Sequence, residues 1–144
     1  MIYDDLSRHM PAAGAIDQAA VPMGMFLAWC VNLNLISDQL MEQAEQGVLR
    51  VRYREITGSE LLVGGCAGVL DACWLNPAGT EFCDRYYARY LDDYRMVFGD
   101  DVYQVTDDWA HYDQLAPLLT ERLYGPRPQR RERLKEKAWW KFWA

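Results

Sequence analysis

Apolar positions recur at helical spacing in some stretches of the chain and fill every side of others, and this contrast predicts most of its elements. Between residues 80 and 98 they are Phe82, Cys83, Tyr86, Tyr87, Tyr90, Leu91, Tyr94, Val97 and Phe98. Spacings of three and four predict one amphipathic helix, opened by Asn76-Pro77 and stopped by Gly99. Its polar face sets Glu81 four before Arg85 and Arg89 four before Asp93, spacings that support a helix. Residues 23–33 are apolar all round, as a helix in the middle of a domain requires, and Pro22 suits its first turn.

Weaker patterns lie between and around these two. Ser37 is placed to cap a helix over 38–46 that keeps Leu40, Met41 and Ala44 on one face, and Gly47 ends or bends it. Residues 49–54 alternate apolar and basic, which fits a short strand or an extended loop. Thr57-Gly58-Ser59-Glu60 precedes a small-residue stretch, 61–74, expected as a buried helix in which Gly64, Gly65 and Gly68 permit close backbone packing. Residues 102–105 read as extended. Thr106 or Asp107 is the expected cap of a last helix bearing Trp109, Tyr112, Leu115, Leu118 and Leu119, which Pro117 breaks or kinks. The first twenty residues, with Pro11 and Gly14, read as an irregular arm. Gly125-Pro126-Arg127-Pro128 is a linker signal. The expected architecture is one compact, mainly α-helical domain over residues 1–125, with one or two short strands, followed by a basic helical extension over 126–144.

Composition agrees with a globular chain. At 144 residues and 51% hydrophobic it can enclose a core without disulfide or metal staples. The 13% aromatic share argues against disorder, and no apolar run approaches the roughly 20 residues of a membrane span. Acids stand in Met1-Ile2-Tyr3-Asp4-Asp5 where a signal peptide carries basic residues, which places the protein in the cytoplasm. The cysteines Cys30, Cys66, Cys73 and Cys83 form no C-x-x-C pair and sit among apolar neighbours, as small buried hydrophobes do.

Charge divides the chain. The net −6 combines 8 basic and 19 acidic residues up to Gly125, net −11, with 7 basic and 2 acidic beyond it, net +5. An acidic body disfavours nucleic acid and anionic lipid as partners and favours a cationic protein. The extension, ending in Trp139, Trp140, Phe142 and Trp143, is suited to dock on its own domain, on a partner or on a membrane surface, without stable insertion.

Two places set acids near a histidine: Asp5 with His9, and Asp107 and Asp108 with His111. At four apart on a helix, a carboxylate meets an imidazole, an arrangement usable for metal or acid–base work. Helix capping and packing account for the same residues, and no metal or other cofactor is assigned. Gly64-Gly65-Cys66-Ala67-Gly68 lacks the spacing of a nucleotide loop and the Walker lysine, so packing is its expected role. Tyr86, Tyr87, Tyr90 and Tyr94 could line a groove, but at helical spacing an aromatic stripe belongs first to the core.

Four ordered blocks carry a resemblance. They are Tyr3-Asp4-Asp5 with His9, the run Met23-Gly24-Met25-Phe26-Leu27-Ala28-Trp29-Cys30, then Tyr90-Leu91-Asp92-Asp93-Tyr94, and Tyr103-Gln104-Val105-Thr106-Asp107-Asp108-Trp109 with Tyr112-Asp113-Gln114-Leu115. Together they resemble an uncharacterised family of small bacterial proteins over most of residues 1–124, with Arg8 where members carry an aromatic residue and an Arg-rich middle around 50–54. In class rather than in motif, such proteins are similar to immunity partners of bacterial polymorphic toxins, including effectors delivered between competing cells by type VI secretion. That resemblance implies a non-catalytic protein that binds and occludes a cognate toxin. The expected contacts are Asp92, Asp93, Asp100, Asp101, Asp107 and Asp108. The alternative is a small enzyme or metal-binding protein using Asp107, Asp108 and His111, with Asp5 and His9 brought near.

Overall fold

The chain enters its fold as a strand. In the computed structural model, which describes residues 1–125, β1 (Ile2–Asp5) pairs antiparallel with β2 (Val69–Asp71), Asp4 opposite Leu70 and Asp5 opposite Val69. Asp5 turns the strand directly into α1 (Leu6–Ala13) by accepting a hydrogen bond from the Arg8 backbone N–H at 3.2 Å. The expected irregular arm is therefore a strand and a helix, and its glycine has a specific task. Gly14, with φ +81°, closes α1 and lets α2 (Ile16–Asn32) begin almost at once. Pro22 lies well inside α2 rather than in its first turn; the carbonyl its ring leaves unpaired belongs to Gln18, on the exposed side of the helix.

Residues 19–31 of α2 are buried without exception, as the all-round apolar pattern requires. The helix α3 (Asp38–Arg52) starts at Ser37, whose Oγ accepts from the Leu40 N–H at 3.2 Å. It continues past Gly47, and its one non-helical residue is Ala44 (φ −140°, ψ 39°). The alternating segment is thus helical as far as Arg52. Val48 and Val51, three apart, carry it on the core while Arg50 and Arg52 face solvent, and tertiary burial overrides the local period of two.

Thr57 and Glu60 form a capping box on α4 (Gly58–Gly65). The expected long helix stops there, because Ala67 and Gly68 take left-handed backbone (φ 55° and 73°) and send the chain into β2. The glycine-rich run ends a helix instead of opening one, so it presents no helix N-terminus to a phosphate. A 3-10 turn over Ala72–Trp74 leads to α5 (Pro77–Tyr86), capped by Asn76. The predicted helix of residues 80–98 is divided by a 3-10 turn at Tyr87–Arg89 into α5 and α6 (Tyr90–Phe98). Residues 102–105 form turns and bends, and α7 (Trp109–Tyr124) is capped by Asp108, not by Thr106 or Asp107. It runs straight through Pro117. The proline and the Asp113 carbonyl it orphans are both exposed, while Tyr112, Leu115 and Leu119 anchor the opposite face.

Residues 1–125 form a compact, mainly α-helical single domain, with one two-stranded sheet among these described residues. Its core is aromatic where α2 meets α5 and α6: Phe26 lies 5.0 Å from both Tyr87 and Tyr90, and Trp29 lies 5.2 Å from Phe82, ring centre to ring centre. Trp29 Nε1 donates to Thr120 Oγ1 at 3.1 Å and ties α7 to this cluster. Cys30, Cys66 and Cys83 are buried, as expected, and Cys73 is half-buried. Burial pushes the Cys66 and Cys83 thiols up to about 12, which makes them packing groups rather than nucleophiles. Among the described residues, no helix is long and apolar enough to cross a membrane. The basic extension expected over 126–144 lies outside the described residues.

Candidate functional site

The end of β1 turns Asp4 inward, and α1 returns His9 to it. Both are buried, at 6% and 4% exposure. His9 Nε2 lies 2.8 Å from Asp4 Oδ2, and Nδ1 lies 2.6 Å from the Tyr103 hydroxyl. Asp4 Oδ2 also accepts from the Tyr87 hydroxyl at 2.6 Å, and its Oδ1 accepts from the Asp5 N–H at 2.9 Å. The histidine's partner is therefore Asp4 and not Asp5, whose carboxylate is engaged in capping α1.

These groups border an open cleft of about 320 Å³ lined by Tyr3, Asp4, Arg8, His9, Tyr87 and Tyr103, with Ala88 and Leu91. Tyr3 donates to Asp84 Oδ1 at 2.6 Å, and Arg8 donates to the Tyr3 carbonyl at 3.0 Å. Burial, and then the nearby Asp4 carboxylate, raises the Tyr103 phenol above its ordinary range despite Arg95. Burial followed by Asp4 also raises Tyr87, well above its usual value. These tyrosines hold their protons. Of the four tyrosines of the helical stripe, Tyr86, Tyr90 and Tyr94 are core, and Tyr87 alone lines the cleft.

The second expected pair has a different arrangement. Asp108 Oδ1 caps α7 by accepting from the His111 N–H at 2.8 Å and also meets the His111 Nδ1 at 2.7 Å. Asp107 turns the other way, to Thr57 Oγ1 at 2.7 Å. Burial raises its carboxyl against the lowering effect of Thr57 and Ser59. No hydrogen bond or ion pair among the described residues joins this set to Asp4, Asp5 or His9, so the convergence imagined for an enzyme does not occur in those contacts. Among the described residues, no three His, Cys, Asp or Glu side chains are grouped to hold a metal ion.

The acidic contacts expected from sequence fall into two kinds. Asp92, Asp100 and Asp101 are exposed, and Asp92 lies 3.4 Å from Arg95. Asp92 follows the cleft residue Leu91 in sequence, and Asp101 is two before Tyr103. Asp93 points inward, where its Oδ2 accepts from Arg122 Nε at 2.9 Å and from the Tyr86 hydroxyl at 2.7 Å. Arg122, from α7, takes the place that helical spacing had given to Arg89.

Burial pushes the Asp93 carboxyl up, but the hydrogen bonds from Arg122 and Tyr86 and the charges of Arg122 and Arg89 outweigh it and hold the group below its ordinary value of 3.8. Its stabilising contribution is present above that value and is lost as pH falls through the lower folded one. Asp93→Asn is expected to lower the urea midpoint at pH 7 and to lower it progressively less below about pH 4. A deficit that stays constant down to pH 2.5 contradicts this account.

Sequence reading missed Tyr87 and Tyr103 as partners of Asp4 and His9. Tyr103 lies in a stretch without periodicity, 94 residues from His9, and only the quoted Tyr3-Asp4-Asp5 and Tyr103 blocks hinted that the two belong together.

Residues 2–107, more than half of the chain, match the model of a family described as a domain of unknown function (DUF7832). Neither the curated proteins nor the solved structures contain a significant match.

Proposed function

The chain belongs to the DUF7832 family, and from the charge of its surface we propose that it is an immunity protein, a cytoplasmic binder that occludes a cationic toxin used in competition between bacteria. The observation that carries this reading is the net −11 of residues 1–125, with Asp92, Asp100 and Asp101 exposed on its surface and a tyrosine-lined cleft in the same domain. An acidic surface speeds encounter with a cationic domain, and aromatic groups at the centre of a contact slow its release.

The test is co-expression with the toxin domain encoded beside the gene. Growth is expected to be restored by the wild-type chain. The triple substitution Asp92→Lys, Asp100→Lys and Asp101→Lys should reduce association at low salt by about tenfold or more, with the difference fading near 1 M salt. A neighbouring toxin that kills equally with and without the protein, or an affinity indifferent to those three changes, overturns the reading.

One observation favours a second reading, a small acid–base enzyme. Asp4, His9 and Tyr103 form an ordered acid–imidazole–hydroxyl chain at the edge of a cleft, an arrangement able to move a proton. Activity lost in His9→Gln, with melting preserved, would support it.

A further inference from the structure

The cleft has a definite hydrogen-bonding polarity, which follows from counting its protons. A phenol carries one proton. Tyr3 gives its proton to Asp84, and Tyr87 gives its proton to Asp4. Asp4 accepts from His9 Nε2 on the oxygen that already accepts from Tyr87, which fixes the imidazole proton on Nε2. The other ring nitrogen, Nδ1, shares a hydrogen bond of 2.6 Å with the Tyr103 hydroxyl. Tyr3 and Tyr87 therefore direct their protons at the protein, and the Tyr103 hydroxyl is engaged by His9. The lone pairs left on the Tyr3 and Tyr87 oxygens can only accept.

The charges nearby agree. Arg8, the one arginine or lysine lining the cleft among the described residues, is held by the Tyr3 carbonyl and lies 3.8 Å from Asp5, while Arg95 is paired with Asp92. Carboxylates at Asp4, Asp5, Asp84 and Asp92 outnumber them. We propose that this cleft is an acceptor-rich site for a cationic N–H donor, the guanidinium of an arginine side chain on the protein partner. Three tyrosine rings give the flat group faces to lie against, and the phenol oxygens receive its N–H groups. The partner's identity rests on the immunity reading. The chemistry of the cleft does not, and it can be tested without any toxin.

The experiment is an NMR titration of the full chain with N-acetyl-arginine methylamide, following the ring signals of tyrosine. Parallel titrations use the matching citrulline compound, which is neutral but similar in shape, and sodium acetate. The arginine probe is expected to shift the signals of Tyr3, Tyr87 and Tyr103 saturably, and citrulline should bind at least tenfold more weakly. Tyr103→Phe, which removes one of the cleft oxygens, should weaken arginine binding by a similar factor. Equal binding of arginine and citrulline, a preference for acetate, or no saturable shift of the cleft tyrosines overturns the proposal. If Tyr103→Phe melts far below the wild type, the arginine–citrulline comparison on the unaltered chain decides alone.

Discussion

Gly58→Ala should remove about 4 kcal/mol of stability, near the upper end for a single substitution, as read from urea unfolding at 25 °C. The reason is the contact between α2 and α4. A Cβ at residue 58 would stand 1.8 Å from the Gly24 carbonyl oxygen and 2.8 Å from the Ala28 Cβ, and one at residue 24 would stand 2.4 Å from the Ser59 backbone nitrogen. These neighbours are mostly backbone, which cannot rotate aside as the end of a long side chain can. The helices would have to separate, uncovering α2 where it is wholly buried and straining the hydrogen bond from Ser59 Oγ to the Ala20 carbonyl. Gly64→Ala is the control, because its Cβ meets nothing within 4 Å. There the gain in helix propensity should stabilise by roughly 0.5 kcal/mol. Opposite signs for the same chemical change, a few residues apart on one helix, would establish that close approach governs the first. A Gly58→Ala loss below about 1 kcal/mol, the ordinary cost of a point substitution, refutes the tight contact.

Asp4→Ala should cost about 3 kcal/mol, because it leaves the His9 Nε2–H and the Tyr87 hydroxyl buried without an acceptor. For a domain of this size that corresponds to a melting temperature lower by about 10 °C. Asp4→Asn should cost less, since its amide oxygen can still accept one of the two donors. A double-mutant cycle with His9→Leu separates the pair from its surroundings: the two losses together should fall short of their sum, because each single change orphans a group that the double change removes. Strict additivity would mean that Asp4 and His9 contribute independently and that the observed chain from Tyr87 to Tyr103 is not a unit.

Residues near one another in sequence explain which parts of this architecture were legible. Ser37, Asn76-Pro77, Gly99 and the Thr57–Glu60 box set helix ends through groups a few positions away, so each had a local signature. The all-apolar run around Phe26 announced a buried helix for the same reason. The region of residues 80–98 was half legible: its periodicity gave the buried face, but the break at Tyr87–Arg89 left no mark in that spacing. The strand-like alternation of residues 49–54 misled because three arginines happened to alternate with apolar residues, whereas burial of Val48 and Val51 decided the conformation. The histidine pairs misled in a similar way. Spacing placed Asp5 with His9 and Asp107 with His111, but each histidine took the neighbouring aspartate, because capping an α-helix claims one particular side chain of an Asp-Asp pair and turns its neighbour elsewhere.

By itself, then, the sequence determined the helical class, the central helix, the helix starts at Ser37 and Asn76, and the division of charge at Gly125, all consequences of neighbours along the chain or of simple counts. Tertiary structure decided which tyrosines are core and which face the cleft, that Asp93 belongs to Arg122 rather than to Arg89, and that Tyr103 completes a chain begun at Asp4. Those pairings join positions as far apart as 94 residues, and a hydrogen bond requires the donor to arrive within about 3 Å at the right angle. No local periodicity encodes that arrival; it follows only when burial of α2 fixes where β1, the turn after α5 and the segment before α7 must meet.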